Sequence, residues 1–369
     1  HVSARAMAIL ADELGHRGER APAEELLTRA AARAESDTDA FVLVMRIRAA
    51  LHSLVGEHDG ARQAYLRAAE RATLGDREDL LLEAALTVNQ ERAHASVRDM
   101  VGGDGGQLLS LWLMRHLVED LKTVLRGKQG GASRDELLKE LLLEDLDTYD
   151  LFQGLLGEDV QTPEDVAAAL ERQGSLGATW AKVLKQVPSD SGLAAFEDAL
   201  DKAYFGLLLE ELAGSKQKGA DLVANFTRRE IDARNLQNAA RWVANKQTGD
   251  FSPFVIPGGR ACNVAAIVAL SQSADLAAFR DKCNDLGLPE SLHAALVECE
   301  DCGRLAPFQA ALNAWHVDEL NKLSHGAPLS LLPILFYLTR KDREVLNLRA
   351  LARGKAAGLS ETRLKELMQ

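Results

Sequence analysis

The chain has 369 residues, enough for roughly two to three domains. Its 43 basic residues against 55 acidic give a net charge of −12, which argues against nucleic acid or an anionic membrane surface as a partner. Aromatic residues make up only 5% and prolines number 9, while Ala and Leu abound; that composition favours an all-α fold over a β-sandwich or barrel. No apolar stretch approaches the roughly 18–20 residues a spanning helix needs, and no signal-peptide pattern opens the chain. A cytoplasmic protein is therefore expected, meeting any membrane through other proteins and without direct lipid insertion.

In chain order, residues 1–100 come first. Leu14-Gly15 with Ala23-Glu24-Glu25-Leu26, and Val55-Gly56 with Ala61-Arg62-Gln63-Ala64, sit about forty residues apart. That spacing resembles helical hairpins of tetratricopeptide type; an ordinary helical opening of the first unit reads equally well. Residues 40–51 form an apolar helix under either view. Gly102-Gly103-Asp104-Gly105-Gly106 reads as a flexible loop. Ser133 with Glu136 forms a capping box. Thr162-Pro163-Glu164-Asp165 places an N-cap before Pro at the first helical position. Pro188-Ser189-Asp190 and Leu288-Pro289-Glu290-Ser291 read as breaks between helices, and residues 251–260 as a loop ending Pro257-Gly258-Gly259-Arg260.

The most informative feature is an internal repeat. Phe196-Glu-Asp-Ala-Leu200, Thr227-Arg-Arg-Glu230 and Asn235-Leu236 recur 112 residues later as Phe308-Gln-Ala-Ala-Leu312, Thr339-Arg-Lys-Asp342 and Asn347-Leu348. A third copy lies upstream: Leu121, Arg126-Gly127-Lys128, Gly131 and Ser133 precede Leu348, Arg353-Gly354-Lys355, Gly358 and Ser360 by 227 residues. Three units follow, with boundaries near residues 141 and 256: 1–141, 142–256 and 257–369.

In the third unit, Val345, Leu348 and Ala352 make an apolar helix stripe, and Arg349 shares another face with Arg353. Arg353 and Lys355 complement the helix dipole in the last turn. Gly358 is placed to take the left-handed conformation, Leu359 supplies the apolar contact after it, and Ser360 caps a final helix. The first unit repeats this logic. The second is expected to depart from it, because Asn245-Lys246 replaces the glycine turn. Candidate structural or partner-contact residues are Arg126, Lys128, Asn235, Arg241, Asn347, Arg349, Arg353 and Lys355. The cations could meet an acidic or carbonyl-rich partner, or simply finish helices. Asn235 and Asn347, poor helix formers, are expected to make buried hydrogen bonds that fix helix–helix register.

No site for chemistry emerges. The two Gly-Lys pairs have neither the earlier Gly nor the following Ser/Thr of a P-loop. No Gly-x-Ser-x-Gly elbow or His-Glu-x-x-His occurs, and acid pairs such as Glu144-Asp145 and Glu210-Glu211 read as solvated helix faces. Cys299-Glu-Asp-Cys302 has metal-ligand spacing, with Cys283, His293 and more distant Cys262 as spare ligands. The plainer reading is small half-buried thiols on a helix. No catalytic residue, cofactor or metal is assigned.

Glu230-Ile-Asp-Ala-Arg-Asn-Leu236 and Arg343-Glu-Val-Leu-Asn-Leu-Arg-Ala-Leu-Ala-Arg-Gly-Lys-Ala-Ala-Gly-Leu-Ser360 resemble the C subunit of the V/A-type ATPases, whose eukaryotic relative is the d subunit of the vacuolar ATPase. Residues 121–128 and Pro257-Gly-Gly-Arg260 look similar too, and the resemblance covers about residues 110–369. It implies three pseudo-threefold helical subdomains forming a funnel-shaped socket. It also implies two partners, the membrane rotor-ring proteolipid at the closed end and the central stalk at the open end. Members of this family do no chemistry and transmit torque. Two other readings remain beside it: a helical-repeat scaffold or regulator, and a metal-dependent helical enzyme built on Cys299 and Cys302.

Overall fold

The computed structural model describes residues 20–34, 101–141 and 154–361 continuously, with scattered positions elsewhere. Among the described residues there are helices and no strands, so the fold is all-α. The helices are α1 (Arg20–Arg33), α2 (Gly103–Gln129), α3 (Arg134–Glu140), α4 (Pro163–Glu171), α5 (Gly174–Lys185), α6 (Leu193–Gly214) and α7 (Ala220–Ala244). A 3-10 turn (Ser252–Phe254) precedes α8 (Val264–Ser271), α9 (Leu276–Asp285), α10 (Glu290–Cys302), α11 (Ala306–Gly326) and α12 (Leu332–Ala356).

The chain divides into two compact units: residues 1–94, 144–150 and 344–368 make one, and residues 95–143, 151–343 and 369 the other. In the larger unit α6 packs on α2 and α7, and α7 packs on α11. Its core has two clusters. One gathers Trp112, Phe152, Trp180, Tyr204, Phe205 and Phe226. The other gathers Leu236, Phe279, Leu296, Cys299 and Phe308. In the smaller unit Met7, Ala23, Leu27, Val44 and Met45 form the core, and Arg48 fastens α1 through Glu24 (3.1 Å) and Thr28 (2.8 Å). Residues 40, 41, 44, 45, 47 and 48 are helical as expected. Gly15, Val55, Gly56, Ala61 and Arg62, on which the hairpin pattern rests, lie outside the described residues, as do Glu144 and Asp145.

Local punctuation follows the sequence closely. Ser133 and Glu136 form a capping box, as do Thr162 and Asp165 with Pro163 at the first helical position. The Gly102–Gly106 run is different. It is not a loop: from Gly103 onward it opens α2. A Cβ on Gly106 would lie 2.6 Å from the Val101 carbonyl, and one on Gly105 would press on Val101, Gln217 and Leu331. These glycines permit close approach, and the helix is kept by packing on its later turns.

Helix closure carries the repeat down to individual hydrogen bonds. At the end of α2, Ala132 N–H donates to Gly127 (2.8 Å) across Gly131 at φ +72. At the end of α12, Leu359 N–H donates to Gly354 (2.9 Å) across Gly358 at φ +71. Both are Schellman closures. The second repeat, expected to depart from this, closes the same way: Gln247 N–H donates to Trp242 (3.1 Å) across Lys246, a non-glycine residue at φ +51. What does change is the packing beneath. A Cβ on Gly127 would strike Leu137, and one on Gly354 would strike Leu364, each at 2.2 Å. In the second repeat the equivalent position is Trp242, which stacks on Phe251 (5.2 Å) and Phe254 (5.5 Å) instead.

Candidate partner-contact site

Polar residues inside the larger unit are organised first of all by a charged seam between helices. Arg115 on α2 donates through Nη1 and Nη2 to the two Glu230 oxygens on α7, at 3.1 and 3.2 Å. Its Nε donates to the Trp112 carbonyl, and its guanidinium lies 3.8 Å from the Trp112 ring centre. Tyr204 on α6 donates to the same carbonyl at 3.0 Å. Arg234, one turn beyond Glu230, lies 3.6 Å from it, 3.5 Å from Asp201 and 3.7 Å from Glu119. Lys122 bridges Asp201 (2.5 Å) and Glu119 (3.2 Å). Arg126 ends the series with a bidentate pair to Glu197, both bonds at 2.7 Å.

Burial sets the electrostatics. Desolvation alone would raise the Glu230 carboxyl, but Arg115, His316 and Arg234 outweigh it and hold its pKa at about 2. Desolvation lowers His316 to about 4 even with Glu230 nearby, so the imidazole stacked on Phe226 is neutral at pH 7. Burial pushes Tyr204 up to about 12. The seam is thus a set of fixed charges at neutral pH, each compensated by a neighbour.

A second constellation lies on one face of α7, where residues four and three apart line up. Asn235 donates to the Ile256 carbonyl (2.8 Å) and accepts from the Ile256 N–H (2.9 Å). Asp232 accepts from the N–H groups of Arg260, Ala261 and Cys262 at 3.0, 2.8 and 3.1 Å. Burial outweighs those donors and leaves the Asp232 pKa raised. Arg228 donates to the Gly258 carbonyl at 3.1 Å. Gly258 sits at φ +101, and a Cβ on Gly259 would lie 2.3 Å from an Asp232 oxygen. The Pro257-Gly-Gly-Arg260 turn is therefore shaped by α7. Asn235 does make the expected buried bond, but it fixes this loop and not a helix–helix register, because the loop backbone is its partner at both ends.

The other sequence candidates fall into distinct settings. Arg126 is held by Glu197, and Lys128, almost fully buried, donates to the Gly157 carbonyl at 2.7 Å. Lys128 is thus an internal tie, and burial lowers its pKa. Arg241 is exposed at the end of α7. In the smaller unit Asn347 and Arg349 are half-buried, while Arg353 and Lys355 lie in the last turn of α12, where the dipole favours them. The expected stripe there is broken: Val345 is buried, but Leu348 is 39% exposed.

The cysteines divide too. Cys262, Cys283 and Cys299 are fully buried, not half-buried, and Cys302 is exposed. Among the described residues none of the four joins a group of three metal-ligating side chains. Burial pushes the Cys262 and Cys283 thiols up to about 12.

Sequence reasoning missed the seam and Asp232. A signal for the first was present. Arg115, Glu230 and Asp342 fall at the same position of the three repeats, as the 227- and 112-residue steps require. Opposite charges at equivalent positions of a repeat are what a pairing between repeats would leave. Asp342 itself lies 3.4 Å from His116.

Comparison with known proteins adds the family. The model of the ATP synthase (C/AC39) subunit family matches residues 64–367, starting well before residue 110. The A-type ATP synthase C subunit of Haloferax volcanii is 28% identical over 333 residues, covering 86% of this chain and 93% of that protein. That of Haloquadratum walsbyi is 30% identical over 297 residues, covering 78% and 81%. That of Methanosarcina mazei is 28% identical over 289 residues, covering 78% and 76%. With four-fifths of its length matched, the chain belongs to the ATP synthase (C/AC39) subunit family.

Proposed function

We propose that this chain is a non-catalytic central-rotor subunit of an A/V-type rotary ATPase: a socket that couples the central stalk to the membrane rotor ring and passes torque between them. The observation that carries the reading is the match over residues 64–367, together with relatives named as the C subunit of A-type ATP synthases. In this reading the three sequence repeats, bounded near residues 141 and 256, are three related helical subdomains around a pseudo-threefold axis. The protein works at the cytoplasmic face, peripheral to the membrane.

The physical character of the larger unit supports the role. Torque transfer needs a body that does not shear. Close-packed helices have low compressibility, and the seam from Arg115 to Glu197 adds directional bonds between α2, α6 and α7. No described helix is long and apolar enough to cross a membrane. A pseudo-threefold body cannot fit every member of a ring equally, so its ring contact should be polar, adaptable and salt-sensitive.

The test is a pull-down of the tagged protein from its own membranes in mild detergent, with partners identified by mass spectrometry. Recovery of ring proteolipid and central-stalk proteins, with loss of the ring at high salt, is expected. Clean recovery of unrelated partners and no ATPase components would overturn the reading. Ring attachment indifferent to ionic strength would remove the polar-contact part of it.

A further inference from the structure

The tail of the second repeat, residues 241–260, has no part in the seam. Its backbone is tied to α7 at several points. It runs back along α7, held at Gly258 by Arg228, at 260–262 by Asp232 and at Ile256 by Asn235. At its other end Trp242 packs on Phe251 and Phe254, and Lys202 of α6 donates to the Pro253 carbonyl. Trp242 and Phe254 are only half-buried, so part of each ring stays open.

The ribbon is locally basic, and its cations are free of internal partners among the described residues. The protein carries −12, yet residues 241–260 hold Arg241, Lys246 and Arg260 against a single acid, Asp250. Asp250 is already engaged by the Ser252 N–H (2.9 Å) and hydroxyl (2.6 Å). All three cations are exposed, and none lies within ion-pair distance of a described carboxylate. The seam cations Arg115, Lys122, Arg126 and Arg234 are, by contrast, all engaged internally. Lys202 has a half-buried neighbour in Asp198.

We infer that this ribbon is a docking surface for an acidic segment of a partner protein, whose carboxylates meet Arg241, Lys246 and Arg260 while an apolar side chain rests on Trp242 and Phe254. Tryptophan and arginine together are the usual chemistry of interface hot spots, and a loop already fixed loses little entropy on binding. Nucleic acid fits poorly: three cations on a chain of charge −12 fall short of the roughly 6–10 phosphate contacts such binding uses. The inference names a surface and a chemistry and does not need the rotor reading.

The test compares lysine acetylation in the free full-length chain and in its native assembly, with Lys182 and Lys185 on α5 as references. Lys246 should label at least tenfold more slowly in the assembly. A zero-length carbodiimide should join it to an Asp or Glu of another polypeptide. Equal labelling in both states overturns the proposal, and so does protection that nuclease treatment abolishes. The triple variant R241E/K246E/R260E, with an unchanged unfolding midpoint, should retain at least tenfold less of that crosslinked polypeptide; full retention overturns the proposal. A crosslinked ATPase component supports both readings, while a carboxylate donor from an unrelated protein, with no ATPase component recovered in the assembly, keeps the docking surface and removes the rotor.

Discussion

Replacing Glu230 with Gln keeps the shape of the side chain and removes the charge that Arg115 is built around. Holding the carboxyl at about 2 instead of its ordinary 4.5 corresponds to about 3 kcal/mol of stability, at 1.36 kcal/mol per tenfold change in proton affinity. That agrees with the roughly 3–5 kcal/mol expected when one partner of a buried pair is removed, at its lower end because Arg234 keeps Asp201 and Glu119. At about 2–4 °C per kcal/mol for a unit of this size, Glu230→Gln should lower the melting temperature at pH 7 by about 6–12 °C. The sign of the pH dependence follows from the depressed pKa. The stabilisation is fully present above about 4.5 and lost as the pH falls towards 2. Wild type and variant should therefore differ most at neutral pH and converge between pH 4.5 and pH 2. Urea unfolding across that range measures it. A loss under about 1 kcal/mol, or curves that stay parallel down to acid pH, would refute the account of the seam.

Replacing Lys246 with Gly should stabilise the chain by about 0.5 kcal/mol, since relief of left-handed strain exceeds the added freedom of the unfolded chain; a fall in melting temperature would count against it. Gly358→Ala should destabilise by about 1 kcal/mol by the same geometry, with open space around the Cβ leaving backbone strain as the sole cause. Gly259→Ala should cost at least about 2 kcal/mol and raise amide exchange at residues 260–262, because its Cβ displaces the Asp232 carboxylate; unchanged exchange there would be contrary evidence. A thiol-specific dye at pH 8 should find one fast cysteine in the folded protein, Cys302, with Cys262 and Cys283 kept protonated by burial; rapid reaction of two or more would refute the placement.

Features encoded within a few residues were legible in the sequence. The capping boxes at Ser133 and Thr162 and the left-handed turns at Gly131 and Gly358 each depend on chemistry contained in one short segment. The all-helical class followed from composition alone. What could not be read depended on neighbours distant in sequence. Gly105 and Gly106 look like part of a loop until Val101 is placed against both and Gln217 and Leu331 against Gly105. Lys128 looks like a surface cation until the Gly157 carbonyl is found above it. Lys246 shows that hydrogen bonding can impose a turn against residue preference: Gln247 and Trp242 close the helix whichever side chain lies between. Asp232 stood within the family-like motif of residues 230–236 but gave no sign of its role, since a carboxylate in a helix is usually solvated and its three donors lie about thirty residues away.

The threefold recurrence of helix closure gives the chain an internal record of drift after duplication. Gly127 with Leu137 and Gly354 with Leu364 have kept the same pairing across 227 residues. The middle copy has exchanged both members, placing Trp242 where the glycines stand and aromatic rings beneath it. A change at one of these positions favours a compensating change beneath it. A large residue at either glycine alone meets the leucine, and a small residue at 242 alone leaves the rings uncovered. In a library of variants, joint substitutions at 127 and 137, or at 354 and 364, should therefore survive where the single ones at those glycines do not.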